Sequence, residues 1–197
     1  LLEHVDIREG EWLLDLGCGY GEISKLFDEK GVGVTGIDSS SEMIRLANER
    51  NPGPCYSVDD IIGYRSGIGF DAVVANMVLC NMSDIDGFFR AISDNLRGKA
   101  YVTNQAEDFQ RSCNYGFAVV HYPPKISEGC LFDVSLKYLD GTWSRIYSNR
   151  YWSPNAVVDA AASNGLELVD RIGLLSVNRR DEQPLRPKYE MFVFGKV

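Results

Sequence analysis

Residues 12–21 read Trp12-Leu13-Leu14-Asp15-Leu16-Gly17-Cys18-Gly19-Tyr20-Gly21, a short apolar run that ends in a loop with glycine at every second position. An apolar run of this length without polar alternation is the pattern of a strand buried on both faces, as in a parallel sheet. Alternate glycines let the chain turn sharply and bring bare backbone up to a ligand. In an open α/β sheet, ligands bind in the crevice where such loops lie. The dinucleotide fingerprint G-x-G-x-x-G requires a further glycine at position 22, which is Glu22 here, and a pyrophosphate would meet that carboxylate. A nicotinamide or flavin dinucleotide is therefore the weaker reading of the loop.

The strand-then-helix rhythm continues outward from this loop. Residues 19–30 place Ile23, Leu26 and Phe27 at helical spacing and stop at Gly31. Residues 32–37 form a second strand ended by Asp38, and Ser39, Ser40, Ser41 and Glu42 read as a helix start. Asn51-Pro52-Gly53-Pro54 breaks that helix. Cys55–Val58, Phe70–Ala75 and residues 99–103 are further strands, with a helix over 84–97. This alternation predicts an α/β fold with a doubly wound, mostly parallel sheet. After about residue 105 the pattern changes. Segments 131–139 and 143–152 read as two strands across the Asp140-Gly141 turn, an inserted β-hairpin within the span 105–152. A helix over 154–164 starts at Ser153, and segments 166–175 and 188–197 close the chain as strands. At about 150 residues per domain, 197 residues predict a single domain, 1–197.

Twenty basic against 28 acidic residues give a formal net charge of −8. Such a surface repels phosphate backbones, so nucleic acid is not an expected partner. The cluster Arg171, Arg179, Arg180, Arg186 and Lys188 reads as a solvated face. The longest stretch without a charged residue, 112–124, has 13 residues and is too short to span a bilayer. The chain begins without Met, and its first residues show neither the basic start nor the apolar run of a cleavable signal. Five scattered cysteines without a C-x-x-C pair suit reduced thiols, and no Asp/Glu/His/Cys cluster has metal-ligand spacing. These features predict a soluble cytoplasmic domain with no metal site.

The D-L-G-C-G-x-G loop resembles motif I of the class I S-adenosylmethionine-dependent methyltransferases. Three further segments resemble that family in the same order: Gly36 to Ile44, Val58-Asp59-Asp60-Ile61, and Phe70 to Asn76. The resemblance implies a Rossmann-like seven-stranded sheet whose last strand runs antiparallel, with S-adenosylmethionine as cofactor and S-adenosylhomocysteine as product. It places Asp15 toward the cofactor's amino group and Gly17, Cys18, Gly19 and Gly21 beneath its methionine part. Asp38 would accept from both ribose hydroxyls, with a helix-cap role compatible. Ser39 and Met43 would lie beside the adenine, Met43 equally being read as the core side of its helix. Asp59 is favoured to accept from the adenine amino group, with Asp60 offering backbone N–H. Asn76 would stand close to the transferred methyl or be an ordinary loop amide.

Methyl transfer from a sulfonium is an in-line displacement that needs alignment and desolvation more than a catalytic triad. The candidate base is His121, in Val119-Val120-His121-Tyr122, with a structural histidine as the alternative. Ten of the 22 aromatic residues fall in the span 109–152. Strands favour aromatics in any case, but an aromatic wall also tolerates a sulfonium. Tyr20 of the glycine loop, and Tyr115, Tyr122 and Trp152 of a cap over 105–152, are the candidate acceptor-binding residues. Asn76-Met77-Val78-Leu79 lacks the proline pair that follows the fourth strand in amino-directed DNA and glutamine methyltransferases, which argues against that subclass. The expected function is methylation of O, N or C on a small organic acceptor. Methylation of protein or tRNA, and a catalytically silent methyltransferase-like binding subunit, are the alternatives.

Overall fold

Leu13, Leu14 and Leu16 of β1 (Trp12–Leu16) are wholly removed from solvent, because the strand lies mid-sheet with packed side chains on both faces. The computed structural model describes residues 2–106, 113–114, 118–137, 140–174 and 189–197. After β1 come α1 (Glu22–Asp28), β2 (Gly33–Asp38), α2 (Ser41–Arg50), β3 (Cys55–Val58), β4 (Phe70–Ala75), a 3-10 turn (Leu79–Asn81), α3 (Ile85–Asn95) and β5 (Leu96–Gln105). The second half holds β6 (Cys113–Asn114), β7 (Ala118–His121), β8 (Leu131–Leu136), β9 (Tyr147–Arg150), α4 (Pro154–Ser163), β10 (Leu166–Leu174) and β11 (Tyr189–Lys196).

The main sheet has seven strands in the order β10-β11-β5-β4-β1-β2-β3. Neighbours among β1 to β5 pair in parallel, whereas β11 runs antiparallel to both β5 and β10. The expected doubly wound sheet with an antiparallel last strand is therefore present. Strand alternation sorts its side chains into two cores. Leu14, Leu16, Val73, Phe192 and Phe194 pack with Phe88, Phe89 and Ile92 of α3 and Val157 of α4. Leu13, Ala72, Val74, Met191 and Val193 face the other way, toward Phe27 of α1. Ser40, Asp84 and Ser153 cap α2, α3 and α4 by accepting the backbone N–H three residues on.

Two expectations change in detail. α1 starts at Glu22 rather than at residue 19, because Gly19 and Gly21 take φ of +54° and +83°, outside the right-handed helical region. The hairpin is half of a four-stranded antiparallel sheet ordered β6-β7-β8-β9, and its strands are shorter than expected. Its register slips by one residue between Val134↔Tyr147 and Lys137↔Trp143. At the slip the Ser144 hydroxyl takes the Leu136 N–H at 2.8 Å, replacing a ladder bond. No helix among the described residues is long and apolar enough to cross a membrane.

Candidate active site

The carboxyl ends of β1, β2 and β4 meet at one edge of the main sheet, and the glycine loop crosses between them. Ile37 O accepts from both Gly17 N and Cys18 N, at 2.8 and 2.9 Å, which folds the loop over the end of β2. Asp38 completes the tie: its Oδ2 accepts from Gly19 N at 3.0 Å and its Oδ1 from Ser40 N at 2.9 Å. A Cβ on Gly17 would stand 2.5 Å from Val78 Cγ2, so close packing demands glycine there. At Gly19 a Cβ would meet nothing within 4 Å, so packing leaves that backbone open to a ligand.

Two adjoining cavities flank the loop and share Gly17 and Asn76. The smaller, about 160 Å³, is lined by Asp15, Cys18, Gly19, Tyr20, Glu22 and Ile23 besides those two. The larger, about 230 Å³, adds Asp38, Ser39, Asp60, Ile61, Met77, Val78, Asn81 and Met82. Asp15 is 2% exposed and accepts from the Ser24 hydroxyl at 2.6 Å. Burial pushes its carboxyl up to about 6, Asp38's charge adds to the rise, and the Ser24 bond opposes it. Burial also holds the Cys18 thiol far above its ordinary range, with Asp15 and Asp38 adding to the effect, so Cys18 is neutral packing rather than a nucleophile.

Most of the sequence-derived cofactor set converges here, with particular exceptions. Met43 is exposed and lines neither cavity, so it is not on the core side of α2, where Ile44 and Ala47 are buried. Of the adjacent acids, Asp60 lines the larger cavity. The Asp59 carboxylate instead accepts from Asp60 N at 2.9 Å. Tyr20 lines the smaller cavity with its ring 6.0 Å from the Arg50 guanidinium. Trp152 is half-buried, and its indole N–H donates to the Met82 carbonyl at 3.2 Å, which joins the segment after β9 to the cavity wall. Tyr122 donates to Gln105 Oε1 at 2.9 Å and stacks on Phe132.

His121 does not join this site. It is exposed and pairs with Asp133, whereas its neighbour Val120 is buried with Phe132 on the opposite face of the small sheet. Neither cavity includes it. Tyr115, and Arg179, Arg180, Arg186 and Lys188 of the basic cluster, lie outside the described residues. Arg171 of that cluster pairs with Glu190 at 2.6 Å.

Sequence reading missed Ser24, Ile61, Met77, Val78, Asn81 and Met82. Ser24 carried a signal, a polar residue one turn before Phe27 on the buried face of the helix. The turn at residues 77–82 carried none, since Met77 adopts φ +57° without being glycine.

Residues 14–103 match the family described as a methyltransferase domain. The chain is 34% identical over 80 residues to trans-aconitate 2-methyltransferase of Rhodopseudomonas palustris (strain BisB18), covering 40% of this chain and 31% of that one. Over 107 residues it is 33% identical to phosphoethanolamine N-methyltransferase 2 of Caenorhabditis elegans, covering 50% of this chain and 24% of that one. The matched stretch thus spans less than half the length of these curated relatives. In fold, the chain is similar to the CcbJ methyltransferase from Streptomyces caelestis, with a TM-score of 0.73, 19% identity, and coverage of 95% of this chain and 84% of that one. Strand order, glycine loop and sequence match agree: residues 14–103 match the methyltransferase-domain family, and the chain shares the fold of the methyltransferase with which it aligns.

Proposed function

We propose that this protein binds S-adenosylmethionine across the two cavities and transfers its methyl group to a small organic acceptor, leaving S-adenosylhomocysteine. The observation that carries the reading is a buried carboxylate in one cavity and a backbone-braced carboxylate in the other, with Gly17 and Asn76 common to both. The donor set fits the cofactor. Among the described residues Asp15 is bonded to Ser24 and to no cation, so an ammonium group would supply the partner that its buried charge lacks. Asp38 spends one lone pair of each oxygen on backbone donors and keeps the others for a pair of hydroxyls. Asp60 and Ile61 would border the base in the larger cavity, with Ser39 alongside.

When bound, S-adenosylmethionine supplies an activated methyl group whose thioether leaving group is already built in. The chain's own contribution is then to hold, align and exclude water. Residues 105–152 would form the acceptor-binding cap, since Trp152 ties that segment to Met82 at the cavity wall. Tyr20 and Tyr122 would be further acceptor contacts. The reading gives no proton-transfer role to His121, which faces away from Val120 and Phe132. The relatives named for trans-aconitate and phosphoethanolamine support an acceptor of small, polar, charged type.

Titration calorimetry with S-adenosylmethionine, S-adenosylhomocysteine and NAD in parallel tests the reading. Micromolar binding of both adenosyl-sulfur compounds without NAD is expected. Binding of NAD alone would overturn it.

A further inference from the structure

We propose that Thr103, within β5, is a positioning residue for the cleft, holding Met77 in its left-handed conformation and turning the Asn76 amide nitrogen toward the bound ligand. This rests on the cofactor reading above. Thr103 is 1% exposed, and its Oγ1 accepts from Met77 N at 2.7 Å while donating to Asn76 Oδ1 at 3.0 Å. A reversed Asn76 amide would leave the Thr103 hydroxyl proton unpaired in the interior, so the bonding pattern sets which end of the amide faces Thr103. Among the described residues every buried side-chain nitrogen and oxygen has a partner. The Asn76 nitrogen, which no group among the described residues binds, therefore reaches the cleft as a free donor for a carboxylate or other acceptor atom of the cofactor.

Met77 needs such a tether. Among the described residues it is the one non-glycine residue with positive φ, a conformation that a β-carbon disfavours and that persists only when its surroundings hold it. Its N–H is fixed by Thr103, and its carbonyl accepts from Cys80 Sγ at 3.3 Å. Met77 and Val78 line the larger cavity, so releasing this turn would move the wall that meets the ligand.

The test is calorimetry of S-adenosylhomocysteine on the full chain with Thr103→Val and Thr103→Ser. The valine keeps the shape and removes the hydroxyl, and is expected to weaken binding about tenfold or more, the loss of one to two hydrogen bonds. The serine keeps the hydroxyl and should stay within roughly threefold of the parent. Unchanged affinity in Thr103→Val, or a serine variant as weak as the valine one, overturns the proposal. Where Thr103→Val does not fold, Thr103→Cys, of similar size with a weak donor, carries the same expectation and the same refutation. A parent chain that binds no S-adenosylhomocysteine overturns the cofactor reading and this proposal with it, whereas binding unaffected by Thr103→Val overturns this proposal alone.

Discussion

The seven-stranded sheet and the four-stranded sheet use similar strand-forming residues, yet their registers are held to different degrees. In the large sheet both faces are covered, so shifting a strand by one residue would exchange Leu13 with Leu14 between two filled cores. In the small sheet the buried cluster is Val120, Phe132 and Tyr151, while Leu131, Leu136, Trp143, Ile146 and Tyr147 stay exposed. A one-residue slip is tolerated there because its main cost falls on a ladder bond that the Ser144 hydroxyl replaces. The lesson concerns where chemistry can be held. Asp15, Asp38 and Asn76 project from the ends of strands whose positions are over-determined, whereas His121 stands exposed on a strand of the small sheet.

The largest effect expected to probe this contrast is on stability. Phe89 contacts the rings of Phe88 and Phe194 edge-on, with centroids at 5.1 and 5.4 Å, and Phe89→Ala should cost about 3–5 kcal/mol in denaturant unfolding. Phe132→Ala should cost clearly less in the global transition and show instead as faster amide exchange across β7 to β9. Equal losses would mean that the two sheets unfold as one unit.

Next comes pH. The Asp15 carboxyl sits near 6 in the folded chain against 3.8 ordinarily, so between those values the folded state holds a proton that the unfolded state has released. Its contribution to ligand-free stability therefore falls as pH rises from about 4 to 6, by something on the order of 3 kcal/mol. A cationic ligand favours the ionised form, so S-adenosylmethionine affinity should fall up to about tenfold per pH unit below 6. Asp15→Asn should flatten both trends in calorimetry and thermal melts.

Smaller again, Asp38→Ala should weaken S-adenosylhomocysteine by roughly 1.5–3 kcal/mol, the range for hydrogen bonds to a charged group. Affinity within twofold of the parent would remove the ribose assignment. The smallest effect belongs to the β8–β9 turn. Gly141 has φ +87°, and an added Cβ would meet nothing within 4 Å, so Gly141→Ala should cost about 1–2 kcal/mol from backbone strain alone. A larger loss would show the small sheet to be more tightly integrated than its exposed face implies.

Much of the site was legible because its chemistry is local in sequence. Gly17, Gly19 and Gly21 precede a helix directly, and Asp38 ends the next strand, so spacing alone brings them to one edge of a parallel sheet. The choice between Asp59 and Asp60 was not legible, because adjacent residues differ in direction only through the turn that holds them. The Asp59 carboxylate caps that turn by accepting from Asp60 N, and Asp60 borders the cavity. His121 stands outside both cavities for a related reason: its place in the chain is near the expected acceptor region, but the pleat of β7 decides its face.

Local pattern by itself determined the alternation of strands and helices and the glycine loop, because apolar periodicity and turn chemistry act between near neighbours. Tertiary structure alone decided that Asp15 is buried enough to titrate near 6, that β6 and β7 extend the hairpin into a sheet, and that Thr103 reaches Asn76 and Met77 across 26 to 27 residues of chain. Desolvation and long-range hydrogen bonds depend on what lies beside a group in space, and sequence spacing carries no measure of that.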